Sequence, residues 1–172
     1  MSKTWTIWVA AAFAALAACD GKGTGGSGGG TTPAWDEAAT KEARTFVEKM
    51  FTVWEAQDLD AFTALLAKDV YMTSFDMDLE NKPIRMGTRE EAVAYAQSMF
   101  AEMKKSGGKL TIKRGTIDCR ATSSLAYCAM DFEFDVTMPD GAKVSQPTRA
   151  SGCLRHGADG WKWVQWHSSL AK

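Results

Sequence analysis

The chain has little of what metal and nucleophile chemistry usually requires. Only two histidines, His156 and His167, occur in 172 residues. There is no Cys-x-x-Cys pair and no Cys/His cluster at zinc spacing, so neither a metal nor any other cofactor is expected. No Gly-x-Ser-x-Gly nucleophile pattern is present. Cationic excess is also lacking. The 20 Lys and Arg residues face 21 Asp and Glu residues, a net charge of -1, so no basic field exists to hold nucleic acid. The apolar run Ile7 to Ala18 falls short of the about 20 residues a stable membrane span needs. No internal repeat is evident.

The features that are present start at the N-terminus. Lys3 precedes the apolar run, and Leu16-Ala17-Ala18-Cys19 closes it. This pattern resembles a bacterial lipobox, with 1–18 as signal peptide, cleavage before Cys19 and a diacylglycerol on the Cys19 thiol. The alternative is an ordinary cleaved signal with a coincidental cysteine. The lipobox resemblance implies an exported protein on the periplasmic side, with the membrane as a partner through the lipid. In enterobacterial sorting, which this segment resembles in form, Asp20 directly after the lipidated cysteine favours the inner membrane. Residues 21–30 are almost all Gly, Ser and Thr, the composition of a flexible tether. From Cys19 to Ala34 such a tether reaches on the order of 20 Å. One domain, 35–172, remains, large enough for a sizeable core.

Within that domain the hydrophobic period is helical first and two-residue afterwards. Ala43, Phe46, Val47, Met50, Phe51 and Trp54 share one helix face, with Asp36 and Glu37 suited to its start. Asp58 caps a second, shorter helix that buries Phe62, Leu65 and Leu66. Val70 to Phe75 reads as a strand, and Asn81-Lys82-Pro83 breaks the chain. Thr88-Arg89-Glu90-Glu91 is a capping box that opens a third helix, ended by Ser106-Gly107-Gly108. Four strands then follow as a meander: Leu110 to Arg120, Ala126 to Met138, Ala142 to Arg155 and Trp161 to Leu170. Pro139-Asp140-Gly141 marks one of the turns. The class is α+β.

With Cys19 reserved for lipid, Cys119, Cys128 and Cys153 remain of the 4 cysteines, enough for one bridge in an exported domain. Cys119 and Cys128 flank a short turn and form the preferred pair. Cys128 with Cys153, across the next turn, competes.

The order of elements and the stretch TRASGCLRHGADGWKWVQWHSS carry a family resemblance. The chain from about Trp35 to Leu170 resembles the SnoaL-like branch of the nuclear transport factor 2-like superfamily. Its end is similar to the association domain of calcium/calmodulin-dependent kinase, through Thr148, Arg149, Gly160, Trp161, Val164, His167 and Ser169. One departure is Ala129, at a position where that association domain carries a second pocket arginine. The resemblance implies a cone-shaped, curved antiparallel sheet wrapped around three N-terminal helices, of the cystatin-like kind. It also implies a pocket at the open end and a homodimer.

The resemblance places Arg149 and His167 in the pocket. Arg149 would anchor a polar ligand, and His167 would hydrogen-bond it; the other reading makes Arg149 a surface residue and His167 structural. Along the Ala126 strand the even positions are apolar and the odd ones include Asp131, Glu133 and Asp135. Such alternation reads first as one buried and one solvated face. The functional reading sets Asp131 beside Arg149 across the Pro139-Asp140-Gly141 turn. Trp54, Tyr71 and Phe75 are apolar walls or plain core.

Three functions follow from these readings. The first is binding of a small polar or amphipathic molecule by Arg149, His167 and Asp131 between Trp54 and Tyr71. The second is an isomerase or dehydratase using Asp131 or His167 as base and Tyr71 as donor. The third is a non-catalytic interaction subunit.

Overall fold

A computed structural model describes residues 34–77 and 83–171, with the backbone alone given for 75–77. The lipobox, Cys19, Asp20 and the tether lie outside the described residues, as do Asn81 and Lys82 and the side chain of Phe75. Three helices form where the caps and the apolar period place them. α1 spans Glu37–Ala56, and the Asp36 side chain accepts from the Ala39 N–H. α2 spans Leu59–Leu65 behind the Asp58 cap. α3 spans Arg89–Ser106; its Thr88/Glu91 capping box is closed in both directions, and Gly107 ends it with φ 67°.

Six strands form one sheet: β1 Leu66–Met77, β2 Pro83–Met86, β3 Lys109–Ala121, β4 Leu125–Thr137, β5 Lys143–Gly157 and β6 Gly160–Leu170. Their order is β2-β1-β6-β5-β4-β3. The sheet is mixed, which corrects the expectation of an antiparallel one: β1 runs parallel to β6. Short turns force antiparallel pairing only between consecutive strands. β1 and β6 are separated by α3 and the whole meander, so no hairpin sets their direction. β2 is an addition to the expected pattern, and it begins at the Pro83 of the Asn81-Lys82-Pro83 break. Its Pro83 stands at the first residue of an edge strand, where a missing N–H costs no ladder bond.

Register breaks between Arg114 and Ile117 in β3, and between Cys153 and Leu154 along β5, bend the sheet around the helices. At Gly152 the strands and Trp163 come very close. A Cβ there would sit 2.5 Å from the Gln165 carbonyl oxygen and 2.5 Å from the Trp163 ring, so only glycine fits.

α1 covers the β3 edge and satisfies some of its exposed backbone. Glu55 accepts from the Ile112 N–H at 2.8 Å, and Thr40 Oγ1 accepts from the Ala121 N–H at 3.1 Å. Between helices and sheet lies an aromatic core. Trp163, fully buried, packs edge-on to Trp166 with centroids 5.0 Å apart and meets Phe46 at 6.0 Å.

Alternation decides the cysteines as well. Cys119 and Cys128 are directly opposed and bonded, with Cα atoms 4.1 Å apart. In the β4–β5 ladder Cys128 opposes Gly152, while Cys153 opposes Tyr127. Cys128 therefore points inward and Cys153 outward, which rules out the competing pair.

Candidate binding cavity

The inward face of the sheet does not close completely on the helices. It leaves a cavity of about 140 Å³. Five thioethers line it: Met50 from α1, Met72 and Met86 from β1 and β2, and Met99 and Met103 from α3. Phe51, Trp54, Phe62, Phe132, Phe134 and Trp166 supply the rings. Trp54 stands edge-on to both Phe62 and Phe100, at 5.6 and 5.1 Å, and this fixes its orientation. Methionine is flexible and polarisable, so walls of this kind adapt to irregular apolar shapes.

A few polar atoms interrupt the apolar walls. Ser74 Oγ and the Tyr95 hydroxyl lie 3.2 Å apart, and the Ser168 hydroxyl donates to the Thr73 carbonyl at 3.4 Å. The Gln146 amide adds a donor and an acceptor. Among the described residues, no carboxylate, histidine, lysine or arginine lines the cavity. The wall is partly open to solvent at Met99, Met103, Phe134, Val136 and Gln146, at one end of the sheet.

The residues singled out in the sequence divide between the two faces. Trp54 is a cavity wall. Tyr71 neighbours Met72 and points the other way, 44% exposed. Asp131 and Arg149 are directly opposed in the β4–β5 register, and Asp131 Oδ1 lies 3.4 Å from Arg149 Nε. Ser151 opposes His167, so His167 shares their face. Asp131, Arg149 and His167 come together with Asp118, Ser151 and Ser169 around a shallow depression on the outward face. The Arg149 and Asp131 side chains are 68% and 58% exposed there, and none of the three lines the interior cavity. The sheet itself separates the two places.

The sequence-based site residues do not include the polar atoms of the cavity or their inward neighbours, although the pattern carries a signal for them. Gln146 and Thr148 are polar at inward positions of β5, and Ser74 and Ser168 follow the inward Met72 and Trp166 by two residues. A polar residue on the buried phase of a strand needs a partner or a ligand.

Elsewhere on the surface, ion pairs move two carboxyls. Hydrogen bonds from the Arg155 guanidinium hold the Asp69 carboxyl below its ordinary range. The Asp135 carboxyl is lowered by its bonds to Lys113 and Ser145.

A mixed curved sheet around three helices, with an apolar interior cavity, defines a cone-shaped α+β fold of the cystatin-like kind. The chain belongs to the SnoaL-like domain family, whose model matches residues 43–172. Three solved structures share the fold. A candidate dehydratase of the nuclear transport factor 2-like family from Streptomyces avermitilis is 15% identical; 81% of this chain and 99% of that one align, with a TM-score of 0.66. A nuclear transport factor 2-like protein of unknown function from Pseudomonas putida is 17% identical over 79% and 89% of the two chains, with a TM-score of 0.64. A candidate calcium/calmodulin-dependent protein kinase II association domain from Xanthomonas campestris is 17% identical over 76% and 86%, with a TM-score of 0.56. Among proteins with curated descriptions, none matches the chain.

Proposed function

We propose that the domain is a binding module whose interior cavity takes a small, uncharged, largely apolar molecule. The observation that carries this is the lining: thioethers and rings, a few neutral polar groups, and no charge among the described residues. An ionised ligand would lose its hydration there without gaining a counter-charge from the described residues. A neutral hydroxyl or carbonyl would find Gln146 or the Ser74–Tyr95 pair.

The chain that carries the module is exported and held by lipid on Cys19, facing the periplasm. Support for this comes from Lys3, the apolar run and the Leu16-Ala17-Ala18-Cys19 match, with Asp20 favouring the inner membrane. The isomerase or dehydratase alternative needs a base beside the bound molecule. Asp131 and His167 instead border an open surface depression, which neither excludes water nor meets the cavity. The homodimer reading draws on that same face. There Asp131 and Arg149 are self-complementary, so a two-fold axis can exchange their pairing between copies.

The test uses the compact unit Thr32–Lys172. N-phenyl-1-naphthylamine, neutral and apolar, is titrated beside its sulfonate, 1-anilinonaphthalene-8-sulfonate. The neutral probe is expected to bind one per domain and to quench tryptophan emission, with the sulfonate at least about tenfold weaker. Met103→Trp, which enlarges a half-exposed lining residue, is expected to weaken the neutral probe by a similar factor. Equal affinity for the sulfonate would overturn the uncharged ligand class. Absence of stoichiometric binding would overturn the cavity reading.

A further inference from the structure

The described domain begins at its own far pole from the cavity opening. Asp36 N–H is bound to the Ala121 carbonyl at 2.8 Å, which fixes the entry of the chain to the β3 end beside the β3–β4 turn. α1 then runs to Trp54, a cavity wall 17 residues beyond Glu37, or about 26 Å at helical rise. β3 spans the same two ends: Ile112 lines the cavity and Arg120 lies beside Trp35.

Trp35 is 52% exposed, a large ring left in solvent one residue after the Cys19–Ala34 segment. It borders a groove with Lys41, Arg44 and Arg120. Glu37 and Asp118 line the same groove, so three cations face two carboxylates, and Arg44 also reaches Glu48 at 3.7 Å. The charge excess is small and of the sign that anionic headgroups attract. The tryptophan contributes more: an indole with an apolar body and one N–H settles at the headgroup level of a bilayer. The sixteen residues from Cys19 to Ala34 span on the order of 20 Å at linker composition. That is enough to let this pole touch the membrane, and somewhat less than the about 26 Å along α1 that separates this pole from the cavity end.

We infer that Trp35 and the Lys41–Arg44–Arg120 groove rest on the bilayer that anchors the chain, so that the cavity opens away from the membrane. The inference depends on the lipid-anchor reading of Cys19. A molecule entering beside Met99 and Gln146 arrives from the periplasmic side rather than directly from the lipid phase.

The test uses the full chain, purified from bacterial membranes and reconstituted into phosphatidylethanolamine–phosphatidylglycerol vesicles, with Cys153→Ser as background. Mass spectrometry reports lipid on Cys19. A membrane-impermeant maleimide then labels Glu37→Cys, in the groove, or Val144→Cys, which opposes the cavity residue Val136 and is 61% exposed. The expected result is that Glu37→Cys labels several-fold slower in vesicles than in detergent and Val144→Cys does not. Trp35→Ser should abolish the difference. Equal labelling at both positions on a lipidated chain overturns the orientation and leaves the anchor standing, as does slower labelling at Val144→Cys. A chain without lipid on Cys19 overturns the anchor and the orientation together.

Discussion

The two faces of the sheet differ in what they carry and in what holds them. β4 contributes Cys128, Met130 and Phe132 to the inside and Tyr127, Asp131 and Glu133 to the outside, residue by residue. The inward set is held by packing, with a disulfide and an aromatic cluster. The outward set makes solvated ion pairs. Side chains of similar chemistry therefore have different meanings on the two faces. Cys128 is a buried staple, whereas Cys153, on the next strand, is a free thiol. The cost of disturbing a residue should follow its face rather than its type.

The largest contrast is expected from Trp163→Ala set against Asp131→Ala. Trp163 is fully buried among Phe46, Trp166 and the backbone at Gly152. Its truncation should cost about 3–5 kcal/mol, a large part of a domain's stability. Asp131, paired but well exposed, should cost about 0–1 kcal/mol. Urea unfolding of both variants measures the gap. Similar losses would mean that the outward face is buried against something in solution, as a dimer through it would require.

Next in size is the disulfide. The Cys119–Cys128 bridge closes a short loop at the β3–β4 turn. Replacing both cysteines by alanine should lower stability by about 2–3 kcal/mol in the chain-entropy picture. Cys153→Ala, facing outward, should change little. Non-reducing peptide mapping checks the pairing, and a Cys128–Cys153 peptide would contradict the observed register.

Most of this contrast was legible in the sequence, and the part that was not has a physical reason. The caps at Asp36, Asp58 and Thr88 and the short turns between consecutive strands are local signals, and each produced the expected element. Local arithmetic across the Pro139-Asp140-Gly141 turn also places Asp131 opposite Arg149. The parallel β1–β6 pairing is different: it joins residues about a hundred positions apart, and no local pattern encodes it. The site divided for a related reason. Alternation in β4 assigns Asp131 to the solvated face, while the family resemblance draws Arg149 and His167 into a pocket. The register puts all three on one face, and the ion-pair exposure shows which. The cavity is written in weaker marks, the single polar residues Ser74, Gln146 and Ser168 on inward phases. Their meaning depends on which helix residues stand opposite.

The smallest effect is the most specific test of the outward face. Arg155 reaches across β6 to grip Asp69 with two hydrogen bonds, at 3.0 and 2.6 Å. Those bonds favour the ionised carboxylate and hold its pKa below the ordinary Asp value of about 3.9. A depressed carboxylate stabilises the fold at pH above its unfolded value and loses that contribution as pH falls through the folded one. The window lies on the acid side, below about pH 4, and at neutral pH the contribution is fully present. Carboxyl-carbon NMR should therefore show Asp69 titrating lower in the wild type than in Arg155→Gln, where its midpoint returns to the ordinary range. An unchanged midpoint would show that the grip does not persist in water. Asp69 and Arg155 would then be two independently solvated charges, and the β1–β6–β5 contact at this point would rest on the strand pairing alone.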